Sequence, residues 1–342
     1  MKHLLIIRLS AMGDVAMTVP VVRALSQQHP ELKITVVSRP FFEPMFQSIE
    51  SVSFFGVDLK KQHKGFWGIY RLFKHLKQLE IDAVADFHNV LRSKILRTFF
   101  KLSGTKTAFT DKGRKDKKAL TRPENKVLKP VKSMIDRHLD TLKQLGLHVD
   151  LTTPNFPKKN KLSEKIIKIT GTKDRVKWIG IAPFAQYQTK VYPLDLMRKV
   201  VEIINAEPSL KIFLFGGGKE EIQQLEQLKH GLEHVEIIAG KLNFSEELEL
   251  IQHLDLMLSM DSGNAHLAAM YGVKVVSLWG HTHPFAGFSP FKQPLSNSLI
   301  PDLKRYPLLP TSVYGNKTIE GYEDIMRTIS PEEVAKKILS VL

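Results

Sequence analysis

An alternation that runs almost the full length of this chain restricts its fold more than any other feature. Short, nearly wholly apolar runs are each followed by a stretch with helical apolar spacing. A continuous apolar run of that length suits a strand covered on both faces, the situation in a parallel sheet flanked by helices. In the first half, strands are expected at 4–7, 34–37, 52–57 and 83–86, with helices at 15–28, 67–79 and 90–102. Residues 133–145 carry Met134, Ile135, Leu139, Leu142 and Leu145 at helical spacing, and Gly146 supplies the stop. Pro154 and Pro157 beside Lys158 and Lys159 then read as linker. The alternation restarts with strands at 178–182, 211–215, 235–238, 256–260 and 273–278. Helices fall at 194–204 and 220–228, from a Ser245 cap to 253, and from Gly263 onward. Residues 285–318 read as irregular, and a last helix follows Ser330 with Pro331 at its first position. The expectation is an α/β chain of two doubly wound, Rossmann-like domains, 1–153 and 176–342, joined by a linker region 154–175. A length of 342 residues suits two such domains.

Composition narrows the function classes. The chain has no cysteine, so a disulfide framework, a thiolate zinc site and a thiol nucleophile are excluded. The opening MKHLLIIRLSAMGD has too short an apolar run for a signal peptide, and no run reaches membrane-spanning length, so a cytoplasmic location is expected. A net charge of +15 calls for an anionic partner: nucleic acid, a membrane surface or an anionic substrate. The densest basic stretch runs from Lys112 through Arg114, Lys115, Lys117, Lys118, Arg122, Lys126 and Lys129 to Lys132, with no aromatic residue among the charges. It lacks a stacking platform, which counts against single-stranded nucleic acid. It reads either as a solvated loop or as an anion-attracting segment.

Two turns carry candidate chemistry. Ser10-Ala11-Met12-Gly13-Asp14 joins a buried strand directly to a helix, which puts Asp14 at the carboxyl edge of the sheet, where open α/β folds bind ligands. A carboxylate there could take a proton from an attacking hydroxyl, or it could simply cap the helix. Met260-Asp261-Ser262-Gly263-Asn264-Ala265-His266 has the same placement, with small residues and a helix start suited to an anion. The bland reading is a capped helix with a core-side histidine. Gly216-Gly217-Gly218-Lys219-Glu220 fails both the P-loop and the G-x-G-x-x-G pattern. Lys190, in a polar loop after a strand, could neutralise a diphosphate or be one of this chain's many surface lysines. Gly280-His281-Thr282-His283-Pro284 has no carboxylate at ligand spacing, so no metal is assigned.

Taken together, these segments resemble the glycosyltransferase family that includes the ADP-heptose:lipopolysaccharide heptosyltransferases. The resemblance is carried by IIRLSAMGDVAMTVPVVRAL, by the weaker DFHNVLRSKIL and RHLDTLKQLGL, and most specifically by MDSGNAHLAAMYGVKVVSLWGHTHP. It implies a GT-B fold with the two domains facing across a cleft, inversion at the anomeric carbon, and no cofactor or required metal. It also implies roles: Asp14 as general base, with Ser10 and Gly13 on the acceptor side. Gly216, Asp261, Ser262, Gly263, His266 and Thr282 belong to the donor site, Glu220 lies near the ribose, and Leu242 or Phe244 lies near the base. Lys190 offsets charge on the leaving nucleotide. The partners so implied are a nucleotide sugar, ADP-heptose, and an anionic lipid-linked saccharide at the inner membrane, with no nucleic acid. Pro183-Phe184-Ala185 and His281 depart from the family pattern and leave the sugar and the acceptor open. Another nucleotide-sugar enzyme, or a cationic binding module, remains as the competing reading.

Overall fold

The computed structural model describes residues 1–342 and resolves into two compact units, 1–114 with 132–157 and 115–131 with 158–342. The first unit contains β1 (His3–Ile7), α1 (Met12–Ala16), α2 (Thr18–Gln28), β2 (Lys33–Ser38), β3 (Val52–Gly56), α3 (Gly65–Lys77), β4 (Ala83–Asp86), α4 (Leu91–Leu102) and β5 (Lys106–Phe109). After α5 (Arg114–Thr121) the chain returns to this unit with α6 (Met134–Gln144). Its sheet has the order β3-β2-β1-β4-β5, and every pairing is parallel. All residues of β1 and β4 are buried, as their apolar runs require. The short β5, with Lys106 and Thr107, has no such run and was not expected.

The second unit holds α7 (Glu164–Thr170), β6 (Lys177–Ala182), α8 (Leu194–Asn205), β7 (Leu210–Leu214), α9 (Gly218–Lys229), β8 (Val235–Ile237), α10 (Phe244–His253), β9 (Leu256–Met260), α11 (Gly263–Ala269), β10 (Lys274–Leu278), β11 (Ser298–Leu299) and α12 (Pro331–Val341). The order β11-β10-β9-β6-β7-β8 is again wholly parallel. Each sheet therefore reverses its winding direction once, between β1 and β4 and between β6 and β9. Helical spacing buries Met197, Val200, Val201 and Ile204 of α8 completely, each side chain adding about 1.5–3 kcal/mol over exposure. The helix expected to start at Ser245 is instead capped by Asn243, whose side chain accepts from Glu246 N while Glu246 reaches back to Asn243 N. Asn outcompetes a serine two residues on because only its position gives the reciprocal capping box.

The basic stretch 112–132 is not simply a solvated loop, the first of the two readings its sequence allows. It contains α5, and residues 115–131 pack with the second unit although they come from the first half of the chain. Lys117 is buried with Nζ 3.9 Å from the centre of the Phe288 ring. Lys126 Nζ donates to the carbonyls of Leu308 and Pro310 at 2.6 and 2.8 Å, and Val131 N donates to Phe285 O. These lysines fix the segment in place. Arg114, Lys115, Lys118, Arg122 and Lys129 stay exposed.

Candidate active site

Parallel strands deliver every following loop to one edge of their sheet, so the switch points can be read directly. In the first unit Asp14 sits in the first turn of α1 and Arg8 at the end of β1. Arg8 Nη2 is 2.6 Å from Asp14 Oδ2, and Arg8 Nη1 donates to Phe87 O at 2.7 Å, tying the ends of β1 and β4 together. Asp14 Oδ2 also accepts from Ala11 N at 3.3 Å, so the residue caps its helix and presents a carboxylate at once. Arg8 is buried, whereas the Asp14 side chain is 29% exposed. Ser10 and Gly13 lie in the same turn.

Residues that the sequence reading did not single out complete this edge. Asp86, wholly buried at the end of β4, accepts from the backbone N–H of His88 and Asn89 and from Arg97. Burial raises its carboxyl above the ordinary range, against the pull of these bonds. The turn holds His88 in the interior, where burial first, and Arg8 and Lys112 next, push the imidazole down to about 3. His88 is therefore neutral at physiological pH, with Nδ1 buried and without a hydrogen-bond partner. It lies in the fields of Arg8, Lys112, Asp14 and Arg39, groups that follow β1, β5 and β2. The one signal for it in the sequence was the DFHN segment after a buried strand.

In the second unit three sequence-selected residues converge. Asp261 Oδ2 lies 2.8 Å from Lys190 Nζ and accepts from Thr282 Oγ1 at 2.8 Å. These side chains follow β9, β6 and β10, so the ion pair spans the switch point. Ser262 is the N-cap residue of α11, but its hydroxyl meets Ser259 Oγ at 3.1 Å and does not cap the helix. Gly263 opens the helix, and His266 is buried one turn in.

Two glycines seat Lys190. A Cβ on Gly280 would lie 2.1 Å from Thr189 O, and His281 N donates to that same carbonyl. At Gly315, with φ +80°, a Cβ would meet the Lys190 stem at 2.5 Å, while Thr189 Oγ1 donates to Gly315 O. The irregular 285–318 segment thus supplies one wall of the lysine's seat.

Gly216 follows β7, with the Phe184 ring and Leu225 so close that a Cβ would crowd both. Glu220 is exposed in the first turn of α9. Its neighbour Glu221, which the sequence did not suggest, accepts from Gly217 N at 2.7 Å. Leu242 is buried just before α10, and Phe244 begins that helix. The loops after β8, β7, β6, β9 and β10 therefore carry Leu242, Gly216 with Glu220, Lys190, Asp261 to His266, and Thr282 in the spatial order of the strands. His281 Nε2 donates to Tyr322 O and its Nδ1 pairs with the Thr311 hydroxyl, while His283 Nδ1 accepts from Phe285 N.

On α10, burial alone pushes the Glu247 carboxyl up to about 7. A carboxyl raised in the folded state costs stability as pH climbs from its unfolded value of 4.5 through 7. Glu247→Gln is therefore expected to stabilise the protein by up to about 3 kcal/mol at pH 8 and by little at pH 4. Thermal melts at both pH values check this. An equal gain at both would exclude the carboxyl charge as the cause.

Residues 69–305 match the model of glycosyltransferase family 9 (heptosyltransferase). The lipopolysaccharide core heptosyltransferase OpsX of Haemophilus influenzae is 26% identical over 292 residues, 83% of this chain and 80% of its own. The structure is similar to that of a family 9 glycosyl transferase from Veillonella parvula, with a TM-score of 0.77 at 18% identity over 99% of this chain and 97% of that one. It is also similar to E. coli heptosyltransferase WaaC solved with ADP, with a TM-score of 0.69 at 17% identity over 99% and 100%. These structural likenesses establish the shared GT-B fold. The family match, spanning both switch-point turns of the second unit, establishes more: this chain belongs to glycosyltransferase family 9, the heptosyltransferase family.

Proposed function

We propose that this glycosyltransferase moves a heptose from ADP-heptose to an anionic, lipid-linked saccharide of the lipopolysaccharide core or lipid A type, inverting the anomeric carbon and requiring no metal. The observation that carries the reading is the convergence of Lys190 and Thr282 on Asp261 at the switch point of the second sheet. In the relatives, that donor class is named for WaaC, solved with ADP and with ADP-2-deoxy-2-fluoro heptose, and the acceptor class for OpsX.

In this mechanism the diphosphate lies against the start of α11 at Ser262, Gly263 and His266, with Lys190 beside it. The Gly216 loop borders the diphosphate, Glu220 faces the ribose, and Leu242 or Phe244 faces the base. The acceptor oxygen attacks the anomeric carbon on the side opposite the diphosphate. Its proton passes to Asp14 as the C–O bond to the nucleotide breaks. Charge gathers on the departing phosphate, where Lys190 and backbone N–H groups held in advance stabilise it without reorganisation. Arg8 orients the Asp14 carboxylate, and the cations Arg8, Arg39 and Lys112 at that edge suit an acidic acceptor. The exposed lysines and arginines of 112–132 add a general attraction to an anionic membrane surface.

The test is transfer in the presence of EDTA with ADP-, UDP- and GDP-sugars on a lipid A-type acceptor, with the product anomer assigned by NMR. Product from ADP-heptose alone, inverted and insensitive to EDTA, is the expected result. Preference for another base, retention, or stabilisation by any polyanion without turnover would overturn the reading.

A further inference from the structure

We infer that the outer face of α3 and α4 in the first unit docks on an anionic lipid bilayer. This deepens the reading that the acceptor is lipid-linked, by naming the surface that brings the enzyme to it. It rests on features that the catalytic residues do not use.

The inner face of α3 is ordinary core: Ile69, Leu72, Phe73 and Leu76 are buried against β1 and α4 residues. Its outer face is not an ordinary surface. Trp67 is 74% exposed and Phe66 is 53% exposed, and Leu102 at the end of α4 is 80% exposed. The rings form one continuous seam. Phe66 lies 5.5 Å from Trp67 and 5.6 Å from Phe99, and Phe99 lies 5.4 Å from Tyr70. Large apolar groups held together in water mark an interaction surface, whereas scattered ones need no explanation.

Charge decides the occupant. Residues 59–79 and 87–110, which contain both helices, include no Asp or Glu. Lys64, Arg71, Lys74 and Lys101 are exposed around the seam, and Lys74 Nζ lies 5.3 Å from the centre of the Tyr70 ring. Aromatic rings at the level of the headgroups, flanked by long cationic side chains that reach past them to phosphate, are the pattern of an interfacial helix. A second copy of this chain would bring the same cations against these, which opposes self-association through the face. No helix of the chain is long and apolar enough to cross a membrane, so the contact is one of surface docking. Each cation near an anionic leaflet raises partitioning about fivefold, an effect that falls off within a Debye length.

The chain offers its own reporter. Of its three tryptophans, Trp178 and Trp279 are buried at 0% and 1% exposure, so lipid contact is read from Trp67 alone. Vesicles of equimolar phosphatidylglycerol and phosphatidylcholine with brominated chains are expected to quench its emission. Pure phosphatidylcholine, or about 0.5 M salt, should weaken binding at least about tenfold. In flotation, Phe66→Ser with Trp67→Ser should lower partitioning at least about tenfold, with unchanged melting temperature and unchanged transfer to a delipidated acceptor. Absence of quenching, equal flotation of the double variant, or a self-association lost in that variant would each overturn the inference. Transfer to the delipidated acceptor without vesicle binding would sink the docking face and leave the proposed reaction standing. Vesicle binding without transfer to any lipid A-type acceptor would do the reverse.

Discussion

Asp14→Asn is expected to lower turnover by about 10²–10⁴-fold while leaving donor affinity nearly unchanged, the usual cost of losing a positioned general base. The asymmetry follows from position. Asp14 sits in the turn after β1 of the first unit, whereas the residues proposed to bind the donor follow strands of the second. Asparagine keeps the size of the side chain and an oxygen that can still accept from Ala11 N, so the start of α1 should persist. What it removes is the negative charge and the proton-accepting oxygen. The same change leaves the buried Arg8 with no carboxylate, although its bond to Phe87 O remains. A fall in melting temperature is therefore expected and must be measured beside the rate. Asp14→Glu separates the two effects, because it restores charge to Arg8 with the carboxylate displaced by one methylene. Stability should recover in that variant and turnover should not. If Asp14→Asn turns over at a near-normal rate, the residue is a helix cap and the base lies elsewhere.

Lys190→Ala is expected to lower kcat by about 10²–10³-fold, the typical loss when one preorganised donor to a developing anion is removed. It should also weaken ADP binding, because Asp261 would then face the diphosphate with Thr282 as its remaining partner. That repulsion is the key to the test. In Lys190→Ala with Asp261→Asn, the uncompensated carboxylate is gone, so stability and much of the ADP affinity should return. The turnover defect should stay, since the cation is still missing. Calorimetric ADP titrations and steady-state rates on both variants decide the point. Recovery of turnover in the double variant would reduce Lys190 to a structural partner of Asp261.

Much of the architecture was legible because a strand covered on both faces must be apolar throughout. The runs at β1, β4, β6, β9 and β10 could be placed before any coordinates. Asp14 and the Asp261 turn were legible for the same reason: each directly follows such a run, and parallel topology sends both to the edge where α/β sheets bind ligands. Family likeness then supplied roles that residue chemistry alone left open. What stayed hidden depends on partners distant in sequence. The short β5 carries no apolar run, and it exists because β4 offers it a hydrogen-bonding edge. Helix α5 is so densely charged that its sequence offers no apolar run to suggest docking. Its buried Lys117 answers to Phe288, and Lys126 nearby answers to two carbonyls beyond residue 300. No local pattern marks His88 as buried or Glu247 as half-buried, so their displaced titrations were invisible. The glycines 280 and 315 looked like turn residues, and only folding brings them against the loop that holds Lys190. Phe66 and Trp67 belong to the same apolar vocabulary as their core neighbours Ile69 and Phe73. Local periodicity fixes which residues share a helix face, but whether that face meets protein or solvent depends on where the other elements pack, and the tertiary structure alone decided that.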